Sequence, residues 1–112
     1  RQQFEPALDL YERALALGAN DVTVLHRLGY IYSSRGQFEK AVSSYESAIA
    51  LEPLNAYAYN NLGTLFYERK DFKKAIHFYR KALEIKPDYA RARQNLTDAV
   101  KEGTTHGSRR RK

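Results

Sequence analysis

Apolar residues recur every three or four positions along this chain, in six stretches separated by glycine, proline or short polar runs. That spacing is the period of a helix with one buried face. It predicts helices over residues 4–17, 22–34, 38–51, 56–69, 72–85 and 90–102. Leu25, Leu28, Gly29 and Tyr32 share the inner stripe of the second helix. Phe38, Ala41, Val42, Tyr45, Ala48 and Ile49 share that of the third, and Tyr59, Leu62, Gly63 and Phe66 that of the fourth. Between helices stand residues suited to stops and starts. Gly18 and Gly36 fit left-handed turn positions, and Pro53 and Pro87 cannot continue a helix. Asn20-Asp21, Asn55 and Asp71 can accept from the free N–H groups of a first turn.

The pattern is also written twice. Leu28-Gly29 recurs as Leu62-Gly63, Ala41 as Ala75, Tyr45 as Tyr79, Ala48 as Ala82 and Pro53 as Pro87, always at an offset of 34 residues. A fixed period of that size marks a stacked helical repeat, in which no unit buries its apolar face alone. Counting back from the first copy, Phe4, Ala7, Tyr11, Ala14 and Leu17 fall on the second helix of an incomplete leading unit. The chain therefore divides into residues 1–21, the second helix of a partial leading repeat, and repeats at 22–55 and 56–89. A capping helix at 90–102 and a disordered basic tail at 103–112 follow. In the cap, Thr97 replaces the glycine and Arg93 the large apolar residue, as a terminal helix requires on its wet side. The small residues belong where helix backbones approach closely, and the aromatic residues fill the gaps between neighbouring pairs.

Charge changes this picture in one respect. The net charge of +6 is unevenly placed. Residues 1–55 hold 5 basic and 7 acidic side chains, residues 56–102 hold 10 and 6, and the last ten hold Arg109, Arg110, Arg111 and Lys112 with no acid. A basic second half favours acidic partners but carries no information about fold. With no cysteine, disulfides, thiolate metal sites and cysteine nucleophiles are excluded. No apolar run reaches the roughly 18 residues of a membrane helix. The composition fits a reducing, cytoplasmic interior, and the Arg109–Lys112 tail adds the nucleus as an alternative. The helical pattern begins at once and without a methionine, which predicts a segment of a longer protein.

Catalytic chemistry finds no foothold. His26, His77 and His106 share no ligand spacing, and Ser43-Ser44 reads as a solvated helix face without a base. No glycine-rich phosphate loop occurs, and Asn95-Leu96-Thr97 matches a glycosylation acceptor in letters only, inside a helix. Neither enzyme activity, cofactor nor metal is expected.

The doubled motif resembles the tetratricopeptide repeat, a 34-residue helix–turn–helix with a large residue, then Leu-Gly, an aromatic, Ala, an aromatic, Ala and Pro. The first copy supplies Leu25, Leu28, Gly29, Tyr32, Ala41, Tyr45, Ala48 and Pro53. The second supplies Tyr59, Leu62, Gly63, Phe66, Ala75, Tyr79, Ala82 and Pro87. The departures are Leu25 for the usual Trp and Phe66 for the usual Tyr. The resemblance implies an all-α, right-handed superhelical solenoid of antiparallel helix pairs. It also implies a non-enzymatic scaffold whose first helices line a concave groove holding a peptide or a partner helix. On this chain the groove residues would be Thr23, His26, Arg27 and Tyr30, then Tyr57, Asn60, Asn61 and Thr64, then Arg91, Gln94, Asn95 and Asp98. Asn61 and Asn95 resemble the amide row of peptide-binding members, since an amide both donates to and accepts from a peptide backbone. Arg27, Arg91 and the tyrosines would favour acidic or aromatic segments. The members that grip a chaperone's terminal carboxylate are matched poorly. Asn61 and Arg91 fit, but His26, Tyr30 and Asn95 replace a Lys, an Asn and an Arg. Specificity would lie where the copies differ, at His26 against Asn60, Arg27 against Asn61 and Tyr30 against Thr64.

Three alternatives accompany this expectation. The basic run Arg69-Lys70, Lys73-Lys74, Arg80-Lys81, together with the tail, would contact nucleic acid or an acidic membrane surface, with steep salt dependence. The repeats would regulate an enzyme in a larger protein. The chain would associate with itself through the 4–17 helix, where Phe4, Leu8, Tyr11 and Leu15 lack a preceding helix to cover them.

Overall fold

The computed structural model describes the backbone over residues 4–18 and 21–111, and side chains over residues 8–18 and 21–104. Among the described residues there are six helices and no strand. They are α1 (Phe4–Ala16), α2 (Val22–Ser34), α3 (Phe38–Leu51), α4 (Ala56–Glu68), α5 (Phe72–Ile85) and α6 (Ala90–Arg111). The chain divides between Pro53 and Leu54 into two compact units, α1–α3 and α4–α6.

The expected caps are made. Asp21 Oδ1 accepts from the Thr23 N–H at 2.8 Å, Asn55 Oδ1 from the Ala58 N–H at 3.0 Å, and Asp71 Oδ1 from the Lys74 N–H at 3.2 Å. Asn20 lies outside the described residues. At the α2 terminus, Gln37 N–H donates to the Tyr32 carbonyl and Gly36 N–H to that of Ser33. These two bonds satisfy carbonyls the helix leaves open and require a left-handed residue at position 36. Gly36 takes φ +76° there without a Cβ penalty. One repeat later the same bonds form, from Asp71 to Phe66 and from Lys70 to Tyr67, and Lys70 adopts φ +64°. A lysine there carries the steric cost that glycine avoids.

In the first unit, Leu25, Leu28, Ile31 and Tyr32 of α2 are buried with Ala41, Tyr45 and Ala48 of α3. A Cβ placed on Gly29 would stand 2.6 Å from the Tyr45 ring. The glycine therefore creates the seat that the tyrosine occupies. Across the same ring, the His26 imidazole packs edge-on at 5.9 Å. Half-buried, His26 has its pKa lowered from the ordinary 6.5, by loss of solvation first and against the opposing charge of Glu52. On the α1 side, the Tyr32 hydroxyl donates to the Glu12 carboxylate. Burial, then that bond and the Glu12 charge, push its pKa up to about 12. Lys40 lies over the Tyr32 ring, 5.5 Å from its centre.

The second unit repeats the device. A Cβ on Gly63 would meet the Tyr79 ring at 2.6 Å, and Lys74 lies 5.2 Å over Phe66. Phe78 stacks on Phe66 at 5.6 Å and on Tyr59 at 6.4 Å, joining the two turns of α4 that face α5. Helix α6 closes this core with Ala92 and Ala99, both fully buried. The first sits with Ala56 and Ala82, the second with Ala75 and Tyr79.

Several expectations need correction. Helix α6 does not end at residue 102 with an unstructured tail after it but continues to Arg111. No proline intervenes, and a Cβ on Gly103 would make an ordinary contact with Phe72, so this glycine lies close to α5. Ser44 is buried rather than on a solvated face, although Ser43 is exposed. In α1, Leu8, Tyr11 and Leu15 are half-covered. The exposed apolar side chains are instead Leu10 and Leu17, and the Phe4 side chain lies outside the described residues.

Three outcomes follow from this packing. Gly63→Ala drives a methyl group into the Tyr79 ring and lowers stability by about 1–3 kcal/mol in urea unfolding. Lys70→Gly relieves the left-handed strain and raises stability by about 0.5–1 kcal/mol in the same measurement. His26 has the lower pKa when folded, so the unfolded chain takes up its proton first. Its contribution is complete above the unfolded pKa near 6.5 and declines as pH falls through the folded value. Thermal melts between pH 7.5 and 5 therefore show a steeper loss for the parent chain than for His26→Gln. Equal slopes would refute this.

Candidate binding face

Helices α4 and α6 are one repeat apart, so residues 34 positions apart occupy matching places on them. The pairs along their common face are Tyr57 with Arg91, Asn61 with Asn95, Thr64 with Asp98, and Glu68 with Glu102. Steps of four, three and four residues keep each row on one side of its helix.

Of the expected groove residues in this unit, Tyr57, Arg91 and Gln94 are exposed. Asn61, Thr64, Asn95 and Asp98 are half-buried. Asn60 departs from the expectation: it is 2% exposed. Its Oδ1 accepts from Asn95 Nδ2 at 3.0 Å. A buried amide needs a partner inside the protein, and Asn95 supplies one. Asn60 is therefore not open to a ligand. Its bond to Asn95 restrains the Asn95 side chain, which is half-buried at the edge of the face.

Thr64 is likewise tied down. Its hydroxyl bonds the Asn60 carbonyl at 3.2 Å and lies 3.1 Å from the Tyr79 hydroxyl. Gln94 Nε2 donates to Asp98 Oδ1 at 3.0 Å, one turn along α6. The two ends of the face differ electrostatically. Tyr89 has a raised pKa, chiefly from burial and then from Tyr57, while Arg91 and the Asn60 bond oppose the rise. At the far end, Tyr67 is raised by burial, then by Glu102 and Asp98. Tyr79 is raised by burial against its Thr64 bond, with Tyr67, Glu68 and Asp98 adding.

In the first unit the corresponding face of α2 exposes Thr23, Arg27 and Tyr30, the last 62% exposed. His26 occupies the place of Asn60, and like it turns inward, onto Tyr45. The inward fate of positions 26 and 60 was missed because a polar residue on an otherwise polar helix side reads as solvated. The available signal was their place immediately beside the buried stripe. Glu68, which the sequence also puts on this side of α4, is exposed there. Tyr67 and Tyr89 were absent from the expected groove residues, although Tyr89 stands in the connection that leads into α6. On the outside of α5, Lys73, His77, Arg80 and Lys81 surround Ile76 in a shallow hollow. Among the described residues no three metal-capable side chains cluster, and no helix is long and apolar enough to cross a membrane. The side chains of His106 and of Arg109–Lys112 lie outside the described residues.

A family model described as tetratricopeptide repeat matches residues 26–90, more than half of the 112-residue chain. No curated protein matches. Among solved structures, the Sgt2 TPR domain from Aspergillus fumigatus is similar at 25% sequence identity and a TM-score of 0.84, over 96% of this chain and 73% of that one. The MamA protein is similar at 26% identity and a TM-score of 0.82, over 88% of this chain and 54% of that one. Their fold class is that of the helices described above, an all-α solenoid of helix pairs. The matched region carries both copies of the Leu-Gly and tyrosine pattern, and the chain belongs to the tetratricopeptide repeat family.

Proposed function

We propose that this chain is a non-enzymatic protein-interaction scaffold. It holds a peptide or partner segment against the exposed sides of the first helices of its repeats, α4 with α6 in the second unit and the equivalent side of α2 in the first. The observation that supports this reading most directly is the amide pair Asn61 and Asn95 on neighbouring helices. Asn95 is held in place by the buried Asn60. An amide fixed from behind loses little rotamer entropy on binding, so more of each hydrogen bond to a ligand appears as affinity. The two amides together bond main-chain N–H and C=O groups without reading side chains, which suits a scaffold.

Membership of the repeat family agrees with protein partners. The absence of a membrane-crossing helix among the described residues leaves the compartment open; an intracellular location is part of this proposal, and a cysteine-free sequence is compatible with it. The test is a peptide-array screen followed by titration of the strongest binders by fluorescence anisotropy. Asn61→Ala and Asn95→Ala each weaken binding roughly five- to tenfold, as loss of one well-oriented hydrogen bond implies. Melting curves establish that both variants remain folded. Unchanged affinity in both would sink the groove role.

A further inference from the structure

The paired rows on α4 and α6 are not uniform in charge. Arg91 stands with Tyr57 at the end where both helices begin. The amides Asn61 and Asn95 follow, then Asp98 beside Thr64, then Glu68 and Glu102 side by side at matching repeat positions. The electrostatic environment of the tyrosines reports the same gradient. The charge felt by Tyr89 is that of Arg91, and the charges felt by Tyr67 and Tyr79 are those of Asp98, Glu68 and Glu102. A ligand lying along this face meets a cation, then amides, then carboxylates.

We infer that the α4–α6 face takes an extended peptide bearing one acidic and one basic side chain, the acidic one at Arg91 and the basic one at Asp98 and Glu68. This inference rests on the binding role proposed above and specifies its ligand. An extended segment fits better than a partner helix. A helix has already satisfied its own backbone groups, whereas a strand presents free N–H and C=O groups to Asn61 and Asn95. The helical rise sets the spacing. Arg91 to Asp98 spans seven residues of α6, about 10 Å, and Tyr57, the repeat counterpart of Arg91, to Glu68 spans eleven residues of α4, about 16 Å. An extended chain advances about 3.3 Å per residue, so the two ligand charges stand about three to five residues apart.

The gradient also gives selectivity by repulsion. A peptide with two acids places one of them against Asp98, and a peptide with two bases places one against Arg91. This face would add a basic side chain to the acidic or aromatic preference expected from Arg27, Arg91 and the tyrosines. Asp98 contributes most, because it is half-buried and held by Gln94, and a partly desolvated, fixed carboxylate attracts a cation more strongly than a mobile exposed one.

The experiment uses the full chain and an array of decamers with two fixed charged positions and otherwise randomised neutral residues. Expected is enrichment of Glu–Lys pairs, in either chain direction, at separations of three to five over Glu–Glu and Lys–Lys pairs. A selected pair then binds at least about fivefold more tightly than its like-charged counterparts in anisotropy titrations. Asp98→Lys shifts the preference from Glu–Lys to Glu–Glu, and Arg91→Glu shifts it to Lys–Lys. A merely structural role for either residue would produce neither inversion. Asp98→Asn, the milder change, removes the discrimination without inverting it, and melting curves check that all three remain folded. If binding falls with Asn61→Ala and Asn95→Ala but ignores the charge pair, the groove reading stands and the polarity is overturned. If no decamer binds, both are overturned.

Discussion

The close approach of a glycine to a tyrosine ring is the contact on which both units depend. At Gly29 and at Gly63 there is no room for even a methyl group, because Tyr45 and Tyr79 fill that volume to within 2.6 Å of where a Cβ would stand. The pairing lets the two helices of a repeat pack backbone to ring, and it buries two of the largest side chains in the core. Fully buried alanines at 41, 48, 75 and 82 extend the same principle along α3 and α5. Small residues set the helix separation, and the tyrosines occupy what that separation leaves. In a close-packed interior such contacts tolerate little change in volume.

Because packing between helices is settled by these positions, the other sides of the first helices are released from structural duty. That release is uneven. Position 64 carries a threonine whose hydroxyl meets the Tyr79 hydroxyl at 3.1 Å, while position 30 carries an exposed tyrosine. Tyr45 has the His26 ring across its edge. The two copies thus use one geometric solution with different finishing chemistry, a titratable ring in one and a hydroxyl pair in the other. The cation over an aromatic ring, by contrast, recurs in both, as Lys40 with Tyr32 and Lys74 with Phe66.

The glycine–tyrosine seats were legible only as recurring positions: the sequence set the tyrosines between neighbouring pairs, whereas each ring lies on the glycine of its own pair. Helix positions and caps were legible because each has a local or periodic cause. A 3.6-residue stripe, an Asx residue before it and a 34-residue echo are all written in one dimension. The end of α6 was not legible, since Gly103 and the polar residues after it read as a break, whereas the backbone continues helical to Arg111. The strained turn at Lys70 was hidden for a different reason. The carbonyls of Tyr67 and Phe66 demand a left-handed residue there whether or not a glycine is supplied. The buried Ser44 and the alanines at 92 and 99 were inconspicuous because small residues fit inside and outside equally well.

The adjacent asparagines 60 and 61 show how finely the face is divided. One step along a helix turns a side chain by about 100°. That step takes Asn60 into the core, where its carbonyl oxygen accepts from Asn95, and leaves Asn61 at the edge. Position 26 of the earlier repeat is inward in the same way, although its occupant is a histidine. The difference between half-buried His26 and buried Asn60 is therefore in part a difference in how the core is finished. The other two places where the copies diverge are Arg27 against Asn61 and Tyr30 against Thr64. Thr64 is already engaged by Asn60 and Tyr79. A ligand on the second unit is then left with Asn61, the oriented Asn95 and the charges at the two ends of α6. A scaffold with a uniform interior can acquire a particular partner through that few side chains, because everything behind them is held in place.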